Sequence, residues 1–146
     1  MKIMSVDLGL VRTGLAICDE LELITSPIET VHNKNLNILS NIIINKIIET
    51  DTKMLVIGLP LNMNGSAGGS AERVHKFKNI LEYKLNSKNI KIEIVLWDER
   101  LSTVSAINYL NQVNIRGQKR KNIIDTVSAV IILENYLNYR KNNIKN

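Results

Sequence analysis

The sequence predicts an α/β fold in which a mixed five-stranded sheet is flanked by helices, and three observations carry that expectation. Three strand-like segments come first, separated only by short turns; two more apolar runs follow, each preceded by a segment of helical periodicity; and the chain closes on further helical stretches. Strands joined through helices become parallel neighbours by right-handed crossovers, whereas strands joined by turns fold as an antiparallel meander.

Residues 2–7, KIMSVD, are an apolar run ending on an acid, and 14–19, GLAICD, form a second run after a glycine-containing turn. Both read as strands. The segment 23–31, LITSPIETV, carries β-branched residues around Pro27, and a proline inside such a run assigns it to the sheet margin. Leu36, Leu39, Ile43 and Ile47 then recur at spacings of three and four, the pattern of an amphipathic helix over 36–48. KMLVIGLP, 53–60, is an unbroken apolar run stopped by Gly58 and Pro60, as expected of a strand buried on both faces. LNMNGSAGGS, 61–70, reads as a flexible loop, with Ser70 capping a helix whose Val74, Phe77, Ile80, Leu81 and Leu85 share one side. IKIEIVLW, 90–97, is the last strand; DERLST turns the chain into a helix over about 102–110; and a basic polar segment, NQVNIRGQKRK, leads into a final helix over roughly 121–139.

With 146 residues the chain fits one domain, 1–140, followed by a basic tail, 141–146, because single cores close at roughly 100–150 residues. Cys18 is the one cysteine, so an intramolecular disulfide and a thiol-based zinc site are both excluded. The apolar run before Asp7 is too short for a signal-peptide core or a membrane span, which sets the expectation of a cytoplasmic protein that does not engage a membrane. A net charge of +5 favours anionic partners without choosing among them.

The chemistry points to acids at strand ends. Asp7 ends the first strand, where the chain enters DLGLVRTG, and ligands collect at the carboxyl ends of such strands. The competing role is a turn-forming Asp before a glycine. Asp98 and Glu99 end the last strand in WDERLST, at the same edge; they also suit the positive start of a following helix. Asp125 begins the apolar face that continues through Ala129, Ile132 and Tyr136, and an acid directed at a core needs a counter-charge or a metal ion. Otherwise it is an N-terminal acid of a helix that starts later. Ser128 and Ala129 are small enough to let this helix lie close to the sheet.

Carboxylates without a His or Cys cluster match the hard cations Mg²⁺ or Mn²⁺. Two such ions about 3.5–4 Å apart would activate a water and stabilise the departing oxygen of a phosphodiester, so no protein nucleophile is required. Glycines in 61–70 leave room for a phosphate backbone, but the Lys-Ser/Thr ending of a nucleotide-binding P-loop is absent. Arg116, Lys119, Arg120 and Lys121 stand next to Asp125 as candidate phosphate contacts or as a solvated face, and Arg12 and Arg100 either grip a phosphate or balance the acids. Trp97 and Cys18 read as core residues, and His32 and His75 as surface or capping ones.

Four segments together, VDLGLVRTGLA at 6–16, VIGLPLNMNGSAG at 56–68, WDERLST at 97–103 and IIDTVSAVIILENYL at 123–137, resemble the YqgF family, nucleases related to Holliday-junction resolvases and assigned to processing of the small-subunit ribosomal RNA precursor. The resemblance runs nearly end to end. It implies the RNase H-like fold with strand order 3-2-1-4-5, a cytoplasmic bacterial protein, and Asp7, Asp98, Glu99 and Asp125 as active-site acids.

Related resolvases typically carry their second acid on the strand beside the first, whereas here that strand ends in GLPLNMNG. In the implied order the Asp98/Glu99 strand lies two spacings from Asp7, roughly 9.6 Å. Glu99 has the longer reach and is the preferred metal ligand with Asp7 and Asp125; Asp98 supports the site or holds Arg100.

Structured RNA is the preferred substrate on the family's assignment. The alternatives are a resolvase of branched DNA, working as a symmetric homodimer rather than a monomer, and a nucleic-acid-binding maturation factor with weakened catalysis. The actin-like and sugar-kinase group, which closes two such domains around ATP, needs more chain than this.

Overall fold

The computed structural model of the chain describes residues 1–60, 69–99 and 117–143, with the side chains of the last helix described from Thr126 onward. In order, the elements are β1 (Ile3–Leu8), β2 (Arg12–Cys18), β3 (Thr25–His32), α1 (Leu36–Thr50), β4 (Met54–Leu59), α2 (Gly69–Ser87), β5 (Glu93–Asp98) and α3 (Gly117–Asn143). The five strands form one sheet in the order β3-β2-β1-β4-β5. β1, β2 and β3 pair antiparallel, and β4 and β5 run parallel to β1.

β1 and β4 sit at the centre, and their residues alternate between two cores. Met4, Val6, Leu55 and Ile57 face the apolar sides of α1 and α2, where Leu39, Ile43, Ile47, Phe77 and Leu81 are buried. Ile3, Met54 and Val56 face α3, which contributes Ala129, Ile132, Leu133 and Tyr136. Burial on both faces explains the unbroken apolar runs. α1 starts where the Asn35 side chain accepts from the amides of Asn37 and Ile38, and stops at Asp51, which adopts a left-handed conformation.

Pro27 lies on edge strand β3 opposite Ala16, where the register shifts between Leu15 and Ala16. A missing N–H is tolerated at such a place.

Two boundaries differ from the sequence expectation. α2 already begins at Gly69, so Ser70 lies inside its first turn rather than capping it. α3 begins at Gly117, ahead of the expected 121, and runs on through Asn143. Gln118, Lys119, Arg120 and Lys121 are good helix formers and extend the helix backward through what composition alone marks as a polar connector. The helix expected over 102–110 and most of the loop at 61–70 lie outside the described residues. No helix among the described residues is long and apolar enough to cross a membrane.

α3 crosses the sheet with its carboxyl end at the amino end of β1. Arg140 meets Glu22 at 2.6 Å, and Glu22 also pairs with the amino-terminal ammonium at 3.1 Å. Farther back along the helix, the oxygen of Ala129 receives the hydroxyl of Ser5 at 2.6 Å. The turn preceding Ala129 therefore lies toward the carboxyl end of β1.

Candidate active site

Parallel β1, β4 and β5 end at one edge of the sheet, and the register there brings a row of residues into line. Asp7 pairs with Gly14 of β2. On its other side Val6 pairs with Ile57, so Gly58 is the next position of β4, and Gly58 pairs with Trp97 of β5. Ile3 and Ser5 face α3, and strand alternation puts the half-buried Asp7 on that same face. The acid is thus flanked on both neighbouring strands by glycine.

Beyond Asp7 the chain turns tightly through Gly9, where an added Cβ would collide with the carbonyl of Arg12. The turn is tied down from outside: the Val11 oxygen accepts from the Asn33 amide at 3.0 Å, and Arg73 of α2 reaches the oxygens of Leu10 and Lys34 at 3.4 and 3.1 Å. Arg12, two residues before Gly14, opens β2 on the face of Asp7, at this edge of the sheet.

Trp97 is buried against α3, its ring edge-on to Tyr136 with centroids 5.7 Å apart. Alternation then turns Asp98, the last residue of β5, to the other face, and Glu99, just past the strand, lies on the α3 face beside Ile132. The Glu99 carboxylate does not stay above β5. It lies over Gly58 of β4, where a Cβ would stand 2.9 Å from Oε1 and 3.1 Å from Cδ. Of the two strand spacings between β5 and β1, Glu99 has crossed about one, leaving roughly 4.8 Å of lateral distance to the strand that carries Asp7. Burial, and then the neighbouring charge of Asp98, push the Glu99 carboxyl above the usual carboxylate range.

Asp125 lies in α3 one turn before Ala129, on the helix stripe that continues through buried Ala129, Ile132 and Tyr136. Its backbone position is on the side of Ala129 toward the carboxyl end of β1. Lys119, Arg120 and Lys121 precede it in the same helix, and Arg100 and Arg116 lie outside the described residues. His32 and His75 are exposed, and Cys18 is a buried thiol near the opposite end of β1, where it accepts from the Ile3 amide.

Among the described side chains no three His, Cys, Asp or Glu gather as a metal-holding group. Asp7 and the Glu99 carboxylate lie on the same face at this edge of the sheet, the latter over the neighbouring strand β4, and the backbone of Asp125 lies on the helix that covers this face. An all-oxygen donor set suits Mg²⁺ or Mn²⁺, and a carboxyl already strained by burial and by a like-charged neighbour would be relieved by a cation. The residues therefore fit such an ion.

Sequence reasoning passed over Ser5, Gly58 and Arg73 as parts of this region. For Gly58 a signal existed, since a glycine inside a strand marks a close approach by something else. Ser5 and Arg73 owe their roles to pairings with Ala129 and Leu10 that no local pattern announces.

A family model described as "RuvX: Holliday junction resolvase" matches residues 1–139. A relative from Endomicrobium trichonymphae is 43% identical over 141 residues, covering 93% of this chain and 94% of its own. Another, from Carboxydothermus hydrogenoformans, is 41% identical over 145 residues, covering 98% and 100%. Both carry the name "Putative pre-16S rRNA nuclease". In shape the chain is similar to RuvC of T. thermophilus, solved in complex with a Holliday junction substrate, with a TM-score of 0.62 over 98% of this chain and 96% of that one. At 9% identity this likeness is one of fold, the RNase H-like fold.

Proposed function

The chain belongs to the RuvX family of Holliday junction resolvase-like nucleases, and from that premise we propose that it hydrolyses phosphodiester bonds in the precursor of small-subunit ribosomal RNA, with Asp7, Glu99 and Asp125 as the acids that do the work. The observation that carries the reading is the position of the Glu99 carboxylate over Gly58, on the face and at the sheet edge where Asp7 ends β1.

In this proposal Asp7, Glu99 and Asp125 hold Mg²⁺ or Mn²⁺, ions that supply activation of a water and stabilisation of the departing oxygen. The β1 ladder fixes the backbone of Asp7, so its carboxylate is presented from a rigid part of the sheet. Glu99 reaches over β4 and so shortens the distance that the strand order imposes. Asp98, beside Glu99, adds negative charge that favours cation capture. Arg12 at the sheet edge and Lys119, Arg120 and Lys121, which precede Asp125 in the sequence, are the residues we assign to the phosphates flanking the cut, with Arg100 and Arg116 as further candidates from the sequence. The substrate chemistry fits a cytoplasmic enzyme.

The RNA assignment follows the names of the relatives. The family description favours a second reading, a branched DNA substrate cut by a symmetric dimer. Purified protein with Mn²⁺, offered ribosomal precursor and a four-way DNA junction side by side, decides by which is cut. Asp7→Asn and Glu99→Gln are expected to lower cleavage by about 10²-fold or more while nucleic-acid binding and the melting temperature hold. Equal loss of binding and folding would instead make the protein a maturation factor without catalysis.

A further inference from the structure

We propose that Gly58 is the positioning residue of this site: the absence of a side chain there is what lets the Glu99 carboxylate lie across β4 toward Asp7. The inference rests on the assignment of Glu99 just made and adds to it the element that makes Glu99 usable from a strand two places away.

Gly58 lies in ordinary extended strand, paired with Trp97 between Ile57 and Leu59. Its backbone adopts no conformation reserved for glycine, so conformation does not require one. A glycine inside a buried central strand weakens the strand, because it has nothing to pack and loses more freedom on folding than any other residue. Room is the remaining reason, and the room is filled. A Cβ at this position would meet Glu99 Oε1 at 2.9 Å, Glu99 Cδ at 3.1 Å and Ile132 Cδ1 at 2.7 Å.

Two different groups therefore use one vacancy. Ile132 brings α3, the helix of Asp125, down onto β4; Glu99 brings the acid of β5 inward. Both clashing groups are ends of flexible side chains, so an added methyl can be accommodated by rotation. Rotation strains the packing around buried Ile132 and lowers the melting temperature modestly, and it takes the Glu99 carboxylate off β4 and returns it to the far side of the gap. Gly58→Ala is thus expected to damage the site more than the fold.

The two tenants can be separated. Ile132→Val removes Cδ1 and leaves Glu99 untouched, so in the double variant Gly58→Ala/Ile132→Val only the conflict with Glu99 persists. The full chain in four forms, wild type, Gly58→Ala, the double variant and Glu99→Gln, is compared by Mn²⁺ affinity from calorimetric titration, by thermal melting and by cleavage of ribosomal precursor.

The proposal expects Gly58→Ala to bind Mn²⁺ about 10- to 100-fold more weakly and to cut correspondingly less. The double variant recovers melting temperature but neither affinity nor cleavage. A crystal structure of Gly58→Ala should show the Glu99 carboxylate displaced from β4.

Recovery of affinity and cleavage in the double variant overturns the proposal, because the glycine would then serve only the seat of Ile132. Wild-type affinity in Gly58→Ala overturns it as well. If Glu99→Gln binds and cuts like wild type, the assignment of Glu99 itself falls; if Glu99→Gln is inactive while Gly58→Ala is not, only the role of Gly58 falls.

Discussion

The hydroxyl of Ser5 donates to the main-chain oxygen of Ala129 at 2.6 Å, and this contact sets how closely α3 rides over β1. Both residues are fully buried. Ser5→Ala deletes one buried hydrogen bond and is expected to cost about 1 kcal/mol, a fall in melting temperature of roughly 3 °C for a chain of this size. Ser5→Val deletes the hydroxyl and puts a larger, branched side chain beneath the helix, and overpacking of this kind costs about 1–3 kcal/mol. Because Asp125 is carried one turn from Ala129, Ser5→Val should lower cleavage well beyond its effect on folding. A valine variant that melts lower yet cuts at the wild-type rate would show that the height of α3 does not set the site.

At the other end of the same helix, Arg140 and the amino-terminal ammonium enclose Glu22, whose side chain is 8% exposed. Burial tends to raise the Glu22 carboxyl, but the Arg140 hydrogen bond and the ammonium outweigh it, and the result lies below the usual glutamate value. Stability from this contact is therefore complete above the unfolded glutamate value near 4.3 and is lost as pH falls through the lowered folded value. Arg140→Ala leaves Glu22 with part of its compensation and should cost about 2 kcal/mol at pH 7. The difference from wild type should shrink in urea melts repeated at progressively lower pH below 4. Since the contact sits at the amino end of β1, away from Asp7, cleavage by the folded variant should be unchanged.

How much of this was legible in the sequence can be judged residue by residue. The apolar runs at 2–7 and 53–60 identify the two strands buried on both faces, and Pro27 marks the edge strand, because burial and a missing N–H act locally. The acids at the ends of β1 and β5 could be placed at one edge from strand direction alone. The strand order follows from the family resemblance rather than from the residues, and it puts the Asp98/Glu99 strand two spacings from Asp7. What the sequence could not show is the closeness of Glu99, just beyond β5, to Gly58 of β4, 41 positions away, because nothing in either neighbourhood announces the other. The start of α3 was misplaced because Gln118 to Lys121 are both polar and helix-favouring, and composition registers only the first property.

Arg73 offers a test of how firmly the turn after Asp7 must be held. Its guanidinium joins the oxygens of Leu10 and Lys34, linking the β1–β2 turn to the approach to α1 from a position on α2. Arg73→Ala removes both contacts while the Asn33 to Val11 bond remains. Partial exposure limits the stability cost to about 1 kcal/mol. The larger consequence should fall on function, with amide hydrogen exchange accelerated over residues 9–12 and cleavage reduced several-fold. Unchanged exchange at these amides would mean that Gly9 and the strand ladder hold the turn without help.

Trp97 is the single tryptophan and stands two residues before Glu99, packed edge-on against Tyr136. Its indole N–H thus gives one resolved resonance close to the proposed cation site. Paramagnetic Mn²⁺ held by Asp7, Glu99 and Asp125 should broaden that resonance at low stoichiometry, and Mg²⁺ in excess should restore it by competition. Asp7→Asn and Glu99→Gln should each shift the broadening to higher Mn²⁺ concentration, by about 10-fold or more. Arg140→Ala, which alters the opposite end of α3, should leave the titration where it was. If Mn²⁺ broadens the indole equally in the Asp7 and Glu99 variants, the ion lies near Trp97 for other reasons, and the carboxylates at this sheet edge do not hold it.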